Sequence, residues 1–447
     1  MKRTFLKKFL PVLLLAVVVI IQAGGFSFTE SDNDNDKNKV NDETEYIYSG
    51  DYGYIILSDD RAVIKDCRVK EKKIEIPNKI DGYEVKIVDD YVFSDPYIVE
   101  IFIPENITYI GEQAFYFCSE LEKVTVDENN PSYASIDGVL FSKDLTMLKF
   151  LPDGRTGDYI IPDGVTNIGS YSFRNCSYLD NIIIPDSVTT IGDYAFIYCT
   201  SLISITIPDS VIEFGHSVFE DCMSLNEINL PSNITNIPLA AFPNCTSLTE
   251  IIIPDSVEVI NSYAFSGCSS LVSVNIPQGV TEIESGVFDE CTSLKNITLP
   301  DSIKNIQINA FSDCTSLTNI TIPAGVMSID STAFSGCVSL TEIAVDENNL
   351  NYTSVDGILF SKDLTMLVDC PINKNLVNYT VPDGVVEICS YAFEKCKSLT
   401  SVTIPKSVTY MDWSTFSECD NLTVYGYKGS YAETCANQQE IPFVVIE

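Results

Sequence analysis

The sequence predicts an α/β solenoid: stacked 23-residue coils with parallel strands on one side and short helical or 3-10 turns or loops elsewhere. Three observations predict it. Prolines recur every 23 residues from Pro162 to Pro323, and cysteines recur with the same step from Cys176 to Cys337. Between them an apolar pattern repeats in phase, as in Ile184-PDSVTTIGDYAFIYCTSLISIT-206. A unit this short cannot bury both of its sides alone, so its apolar residues must stack on their copies in the next coil.

The chain begins with an export signal. Lys2, Arg3, Lys7 and Lys8 precede an unbroken apolar run from Phe9 to Ile21. A membrane-spanning helix needs ~20 apolar residues and a signal peptide ~7–15. Small residues at Ala23, Gly24 and Gly25 offer a cleavage site, so 1–25 reads as a signal peptide, cleaved or retained as an anchor. Residues 26–45 are polar and acidic and read as a disordered linker. Asp32, Asp34, Asp36 and Glu43 fit positions 1, 3, 5 and 12 of a calcium-loop template, but Lys37 stands where the template needs glycine. No metal site is read there.

Residues 46–103 are rich in Tyr, Ile and Val, with turn signals at Gly50-Asp51 and Asp81-Gly82, and predict a β-rich cap and first irregular repeats. The solenoid proper runs over 104–423. In each coil the L-x-x-I-x-I-P segment alternates like a half-buried strand and is stopped by proline. The V-x-x-I segment turns the chain inward, often at a following glycine such as Gly192. A-F-x-x-C has the spacing of one short helical or 3-10 turn. Two enlarged repeats, at about 127–161 and 346–381, break the count. They are copies of each other, DENNPSYASIDGVLFSKDLTML from Asp127 and DENNLNYTSVDGILFSKDLTML from Asp346, and each predicts a hairpin or extra strand pair. Both a repeat variant and a projecting binding element are compatible with that pattern. Residues 424–447 predict a C-terminal cap with a short helix at 430–438 and a closing strand at 443–445.

The A-F-x-x-C-x-x-L-x-x-I-x-I-P signature, held in phase over at least eight consecutive copies, resembles the BspA-like subclass of extracellular leucine-rich repeats. The resemblance covers roughly 46–447. It implies a right-handed solenoid with its parallel sheet on the concave face; ~14 coils at ~4.8 Å give a body ~70 Å long. It also implies a surface or secreted adhesion and recognition role without catalysis, with host or neighbour-cell proteins as ligands. In such repeats the Cys position is filled by Asn or Cys whose side chain meets the backbone at the turn.

Eleven of the fifteen cysteines share one repeat position. Side chains stacked in parallel make poor disulfide geometry even where the Cα spacing allows it, so they read as a ladder of reduced, buried thiols. Cys67, Cys370, Cys389 and Cys435 lie off the ladder.

The formal net charge is -36, which repels phosphate backbones and anionic lipid. Nucleic acid is therefore excluded as a partner, and so is membrane beyond the export segment. His216 is the single histidine and is expected on a solvent-facing loop position. No phosphate loop, C-x-x-C or H-E-x-x-H occurs, and no cofactor is expected.

The candidate site is the exposed strand face. Two residues before proline, a row reads Thr206, Asn229, Ile252, Asn275, Thr298 and Thr321; four before proline, a second reads Ser204, Glu227, Glu250, Ser273, Asn296 and Asn319. These are expected to form continuous, weakly acidic stripes with Ile252 as the one apolar interruption. An extracellular protein is the expected ligand. A glycan- or cell-wall-binding module would instead need Tyr52, Tyr54, Tyr133 and Tyr352 exposed together, and a passive scaffold would need neither.

Overall fold

Most L-x-x-I-x-I-P segments form a short strand whose alternate side chains point into the coil, as in Asn319–Ile322, exposed and buried by turns. Successive copies pair in parallel at the 23-residue step: Asn319 lies opposite Glu342 and Thr321 opposite Ala344. The computed structural model describes residues 46–447. The export segment, the acidic linker and the Asp32–Glu43 loop lie outside the described residues. Tyr46–Glu447 is a β-solenoid of about 17 turns. The enlarged repeats and the N-terminal cap contribute turns that lack the proline–cysteine signature, which is why counting signatures comes out low.

The V-x-x-I segment does more than turn the chain. Its last two residues form a second strand column: Asn167–Ile168, Thr190–Ile191 and Glu213–Phe214 pair in parallel, in register. Gly192 and Gly215 follow these strands. Their φ values lie outside the left-handed region; what requires glycine is close approach between coils. A Cβ on Gly192 would sit 2.6 Å from the Ser170 nitrogen, and one on Gly215 2.3 Å from the Asp193 nitrogen.

The A-F-x-x-C segment is a corner of successive turns and not a helix. Ile197 N–H donates to the Tyr194 carbonyl at 3.2 Å and Cys199 N–H to the Phe196 carbonyl at 3.2 Å. Tyr194 and Tyr198 hold φ values of 57° and 61°, and the later coils repeat left-handed residues at matching positions, such as Asp221, Asn244 and Glu290. A right-handed helix cannot run through residues in that region. Among the described residues the one helix is Tyr431–Gln438, capped by the Ser430 hydroxyl accepting from Glu433 N–H at 3.3 Å. The architecture is thus a β-solenoid, and the helical component of the α/β expectation is absent from its coils.

The corner is also where the coils are bonded most continuously. Phe173 N–H donates to Ala195 at 2.8 Å, Phe196 to Val218 at 2.9 Å, Phe219 to Ala241 at 3.0 Å, and the ladder continues without a gap to Phe311 and Ala333. The Phe rings stack along it. From Phe196 to Phe334 neighbouring centroids lie 5.2–5.7 Å apart with planes within 12°. Except for Cys176 and Cys396, which follow the enlarged repeats and point to the Leu151 and Cys370 carbonyls, each ladder thiol donates to the carbonyl of a Phe in the preceding coil: Cys199 to Phe173 at 3.0 Å, Cys245 to Phe219 at 3.2 Å, Cys291 to Phe265 at 3.1 Å. All described cysteines are free thiols. Burial pushes Cys199, Cys222, Cys245, Cys268 and Cys291 up, Cys268 to about 12, so these thiols stay protonated and able to donate.

The enlarged repeats are three-stranded antiparallel meanders. In the first, Tyr133–Ile136, Val139–Ser142 and Met147–Phe150 pair in that order, and Met147–Phe150 then joins the second column beside Asn167–Ile168. The second copy repeats this with Tyr352–Val355, Ile358–Ser361 and Met366–Asp369. The middle strands are buried on both faces. Leu140 belongs to the core block that precedes it, whereas Val139 and Phe141 belong to the block that follows. The meanders are therefore partitions inside the solenoid, and the projecting-element reading is corrected. A buried asparagine anchors each. Asn130 Nδ2 donates to the Pro104 and Ile107 carbonyls at 2.7 and 2.9 Å, while its Oδ1 accepts from Ser132 and Tyr133 N–H at 2.9 and 2.8 Å. Asn349 makes the equivalent four bonds.

Two consequences are measurable. Phe265→Ala removes a fully buried ring from the stack and is expected to destabilise by ~3–5 kcal/mol; a denaturation curve matching the parent would contradict the stacked assignment. Alkylation followed by mass spectrometry should find the ladder thiols reduced, unreactive in the folded chain and reactive once it is unfolded. Stoichiometric disulfides between ladder positions would refute that.

Candidate functional site

Every one of the ten strand-face residues is exposed: Thr206, Glu227, Asn229, Glu250, Ile252, Asn275, Asn296, Thr298, Asn319 and Thr321. Alternation places them there, because their neighbours Ile205, Ile228, Ile251, Val274, Ile297 and Ile320 point into the core. The stripes are not continuous, however. Ser204–Thr206 pairs with Glu227–Asn229, and Glu250–Ile251 with Ser273–Val274, with no strand pairing between those two couples among the described residues. The interruption opens a cleft of about 400 Å³, and Glu227, Asn229, Glu250 and Ile252 line it together. Asn275 and Thr298 meet through an isolated bridge, and Thr321 sits beside Ala344. Asn275 is partly committed to structure. Its Oδ1 accepts from Ile253 N–H at 3.0 Å and its Nδ2 donates to the Ile253 carbonyl at 2.8 Å, which spans the gap between those coils.

The two-before-proline row starts earlier than the sequence window taken above. Ile160 and Ile183 lie opposite each other in register and are 64% and 46% exposed, so Ile252 at 78% is not the one apolar interruption. Pro162 and Pro185 carried the signal, since each marks its row residue two positions upstream. The four-before-proline row likewise begins with an ion-pair ladder: Glu100 lies between Lys73 at 2.8 Å and Lys123 at 3.6 Å.

The tyrosines named for a glycan platform do not assemble. Tyr54 and Tyr133 are buried, and Tyr52 and Tyr352 half-buried. Two of them have structural work: Ile110 N–H donates to the Tyr133 hydroxyl at 2.9 Å and Ile329 N–H to the Tyr352 hydroxyl at 3.0 Å, satisfying amides where the second column breaks at each meander. His216 is half-buried and not on a fully open loop. Its N–H donates to Asp193 Oδ1 at 2.6 Å, and its Nδ1 is enclosed without a partner. Among the described residues no three His, Cys, Asp or Glu side chains are grouped to hold a metal ion.

A model of the BspA type Leucine rich repeat region (6 copies) matches residues 65–153, 155–271, 235–363 and 370–435. The chain belongs to the BspA-type leucine-rich repeat family. Among solved structures, this BspA-type chain is similar to a leucine-rich repeat protein from Bacteroides ovatus, at 22% identity over 90% of this chain and 100% of that one with a TM-score of 0.53, which shows the fold. A leucine rich cell surface protein from Faecalibacterium prausnitzii matches at 27% identity over 88% and 97% of the two chains, with a TM-score of 0.47. The pneumococcal vaccine antigen PcpA matches at 14% identity over 90% and 99%, also at 0.47. A comparison with curated proteins finds no match.

The corner carries crowded carboxyls. Burial, with Glu290 and Asp313 close by, pushes Asp289 up to about 6, against the pull of a hydrogen bond from Ser312. A carboxyl raised in the folded state binds its proton more tightly there than in the unfolded chain. Its contribution to stability is complete below about pH 4 and is lost as pH rises through about 6. The melting temperature is therefore expected to fall between about pH 4 and pH 6, and Asp289→Asn to flatten part of that fall. An unchanged slope in the variant would contradict this origin.

Proposed function

We propose that this BspA-type chain is a non-catalytic recognition and adhesion protein, exported to the cell surface or medium, that binds extracellular proteins through its strand face. The observation that carries the reading is the cleft between the Glu227–Asn229 and Glu250–Ile251 strands, with Ile252 at its rim, 78% exposed. A branched apolar side chain standing in a polar, weakly acidic surface is the kind of anchor that a protein partner desolvates on contact. Exposed Ile160 and Ile183 extend the same row. Thr and Asn around these anchors offer hydrogen bonds at low entropic cost, and an extended face suits contacts made at several coils together. The strong negative charge favours a partner surface rich in Lys and Arg.

The test is a surface-binding screen of residues 46–447 against extracellular-matrix proteins, run beside an Ile252→Lys/Asn229→Lys variant with an unchanged melting temperature. A ligand bound by the parent and lost by the variant supports the strand face as the recognition surface. Binding that survives in the variant, or no binding in any lane, goes against it.

A further inference from the structure

The joints between regular coils are not alike. Each coil can meet the next at three places: the two strand columns and the corner. From the coil that begins at Pro162 to the one that begins at Pro323, every joint but one keeps some strand pairing. Coil 185–207 is held to coil 208–230 in both columns, by Thr190–Ile191 on Glu213–Phe214 and by Ser204–Thr206 on Glu227–Asn229. Coil 231–253 is held to coil 254–276 in both as well. Between 208–230 and 231–253 neither column is paired among the described residues. The strand-face cleft lies on this joint, so the two faces part at the same place.

The sequence accounts for the break in the second column. The residue after a second-column strand donates its N–H to the preceding coil: Gly192 to the Ile168 carbonyl at 2.8 Å, Gly215 to Ile191 at 2.8 Å, Asn261 to Ile237 at 3.0 Å and Gln307 to Ile283 at 2.9 Å. At this joint that residue is Pro238, which has no N–H to give. The Phe214 carbonyl therefore receives no such bond.

The corner of the same joint is whole. Ser217 N–H donates to the Leu239 carbonyl at 3.1 Å, Phe219 to Ala241 at 3.0 Å and Asp221 to Pro243 at 2.9 Å. The Cys245 thiol donates to the Phe219 carbonyl at 3.2 Å, the Phe219 and Phe242 rings stack at 5.5 Å, and the Thr246 hydroxyl beside them donates to the Met223 carbonyl at 3.2 Å. Away from the corner, the one hydrogen bond across this joint among the described residues runs from Ser232 N–H to Asp209 Oδ1 at 2.7 Å, on the exposed turn between the columns.

We propose that the solenoid hinges at this joint, with the corner as its axis and the strand-face cleft as its mouth. Opening elsewhere in the run would break strand pairing, whereas opening here breaks the single Asp209–Ser232 tie. Leu225 and Leu248 are fully buried in the two coils, and the cost of wetting them keeps the swing small. The hinge goes beyond the recognition reading and does not rest on it, because it belongs to the chain without a ligand.

Hydrogen exchange on the unliganded protein, resolved to single amides by mass spectrometry, tests it. Ile207 and Asn226 donate across the intact joint before it, at 3.0 and 2.9 Å. Their counterparts one coil on, Leu230 and Thr249, are expected to exchange faster, while Phe219 and Asp221 in the corner stay protected. Pro238→Gly gives the second column its donor back. It is expected to slow Leu230 and Thr249, on the other face, roughly tenfold, the effect of about one hydrogen bond. Pro238→Ala supplies the same N–H and is expected to act in the same direction. Equal exchange at the two joints, an unchanged strand face in both variants, or loss of protection at Phe219 and Asp221 along with the columns would each overturn the hinge, and each would leave the ligand screen of the recognition reading untouched.

Discussion

The solenoid hangs on the bond between one corner and the next. A thiol donates to a Phe carbonyl, the ring of that Phe stacks on its copy, and the Phe amide donates onward to the following coil. For Phe173 the partners are Cys199, Phe196 and Ala195, all in the next coil, so no coil can shift against its neighbour without disturbing all three contacts. Both strand columns tolerate interruptions, while the corner ladder from Phe173 to Phe311 has none. The cysteines then need no second explanation. A small buried donor is what the carbonyl requires, and a thiol supplies one with little polar surface to desolvate. Disulfides would remove the donors and leave each of those carbonyls with only the N–H of the Cys three residues on, which ties it to its own coil and not to the next.

The meanders follow from the same constraint. A coil without its Phe and Cys loses the corner contacts, and the enlarged repeats replace them by other means. Asn130 and Asn349 each satisfy four polar groups inside the core, and a tyrosine hydroxyl closes the broken second column. The double-faced central strand then divides the core into blocks. Each of these devices lies inside the stack, which is why the two long copies are partitions and not arms.

Much of this was legible in the sequence, and the limits were physical. A strict 23-residue period fixes stacking, strand position and the inward direction of Phe, Cys, Leu and Ile, because any slip would expose a whole column. The corner misled because A-F-x-x-C has helix-like spacing, and the left-handed place before the cysteine, marked by Gly267, Gly336, Asn175, Asn244, Asp221 and Asp313, is held in other coils by Tyr198, Glu290, Lys395 and Glu418, which carry no such signal. The second strand column was hidden because two residues are too few to show alternation. On the strand face, alternation identified which residues are exposed. It gave no sign of which coils pair, so the cleft joining Glu227, Asn229, Glu250 and Ile252 appears only in three dimensions.

The regularity of the array also shows where to look for function. In a periodic protein a residue that the repeat requires recurs, and one that recurs nowhere is free of that requirement. Ile160, Ile183 and Ile252 break a row otherwise filled in the central coils by Thr and Asn, at positions where the fold is indifferent to side-chain chemistry.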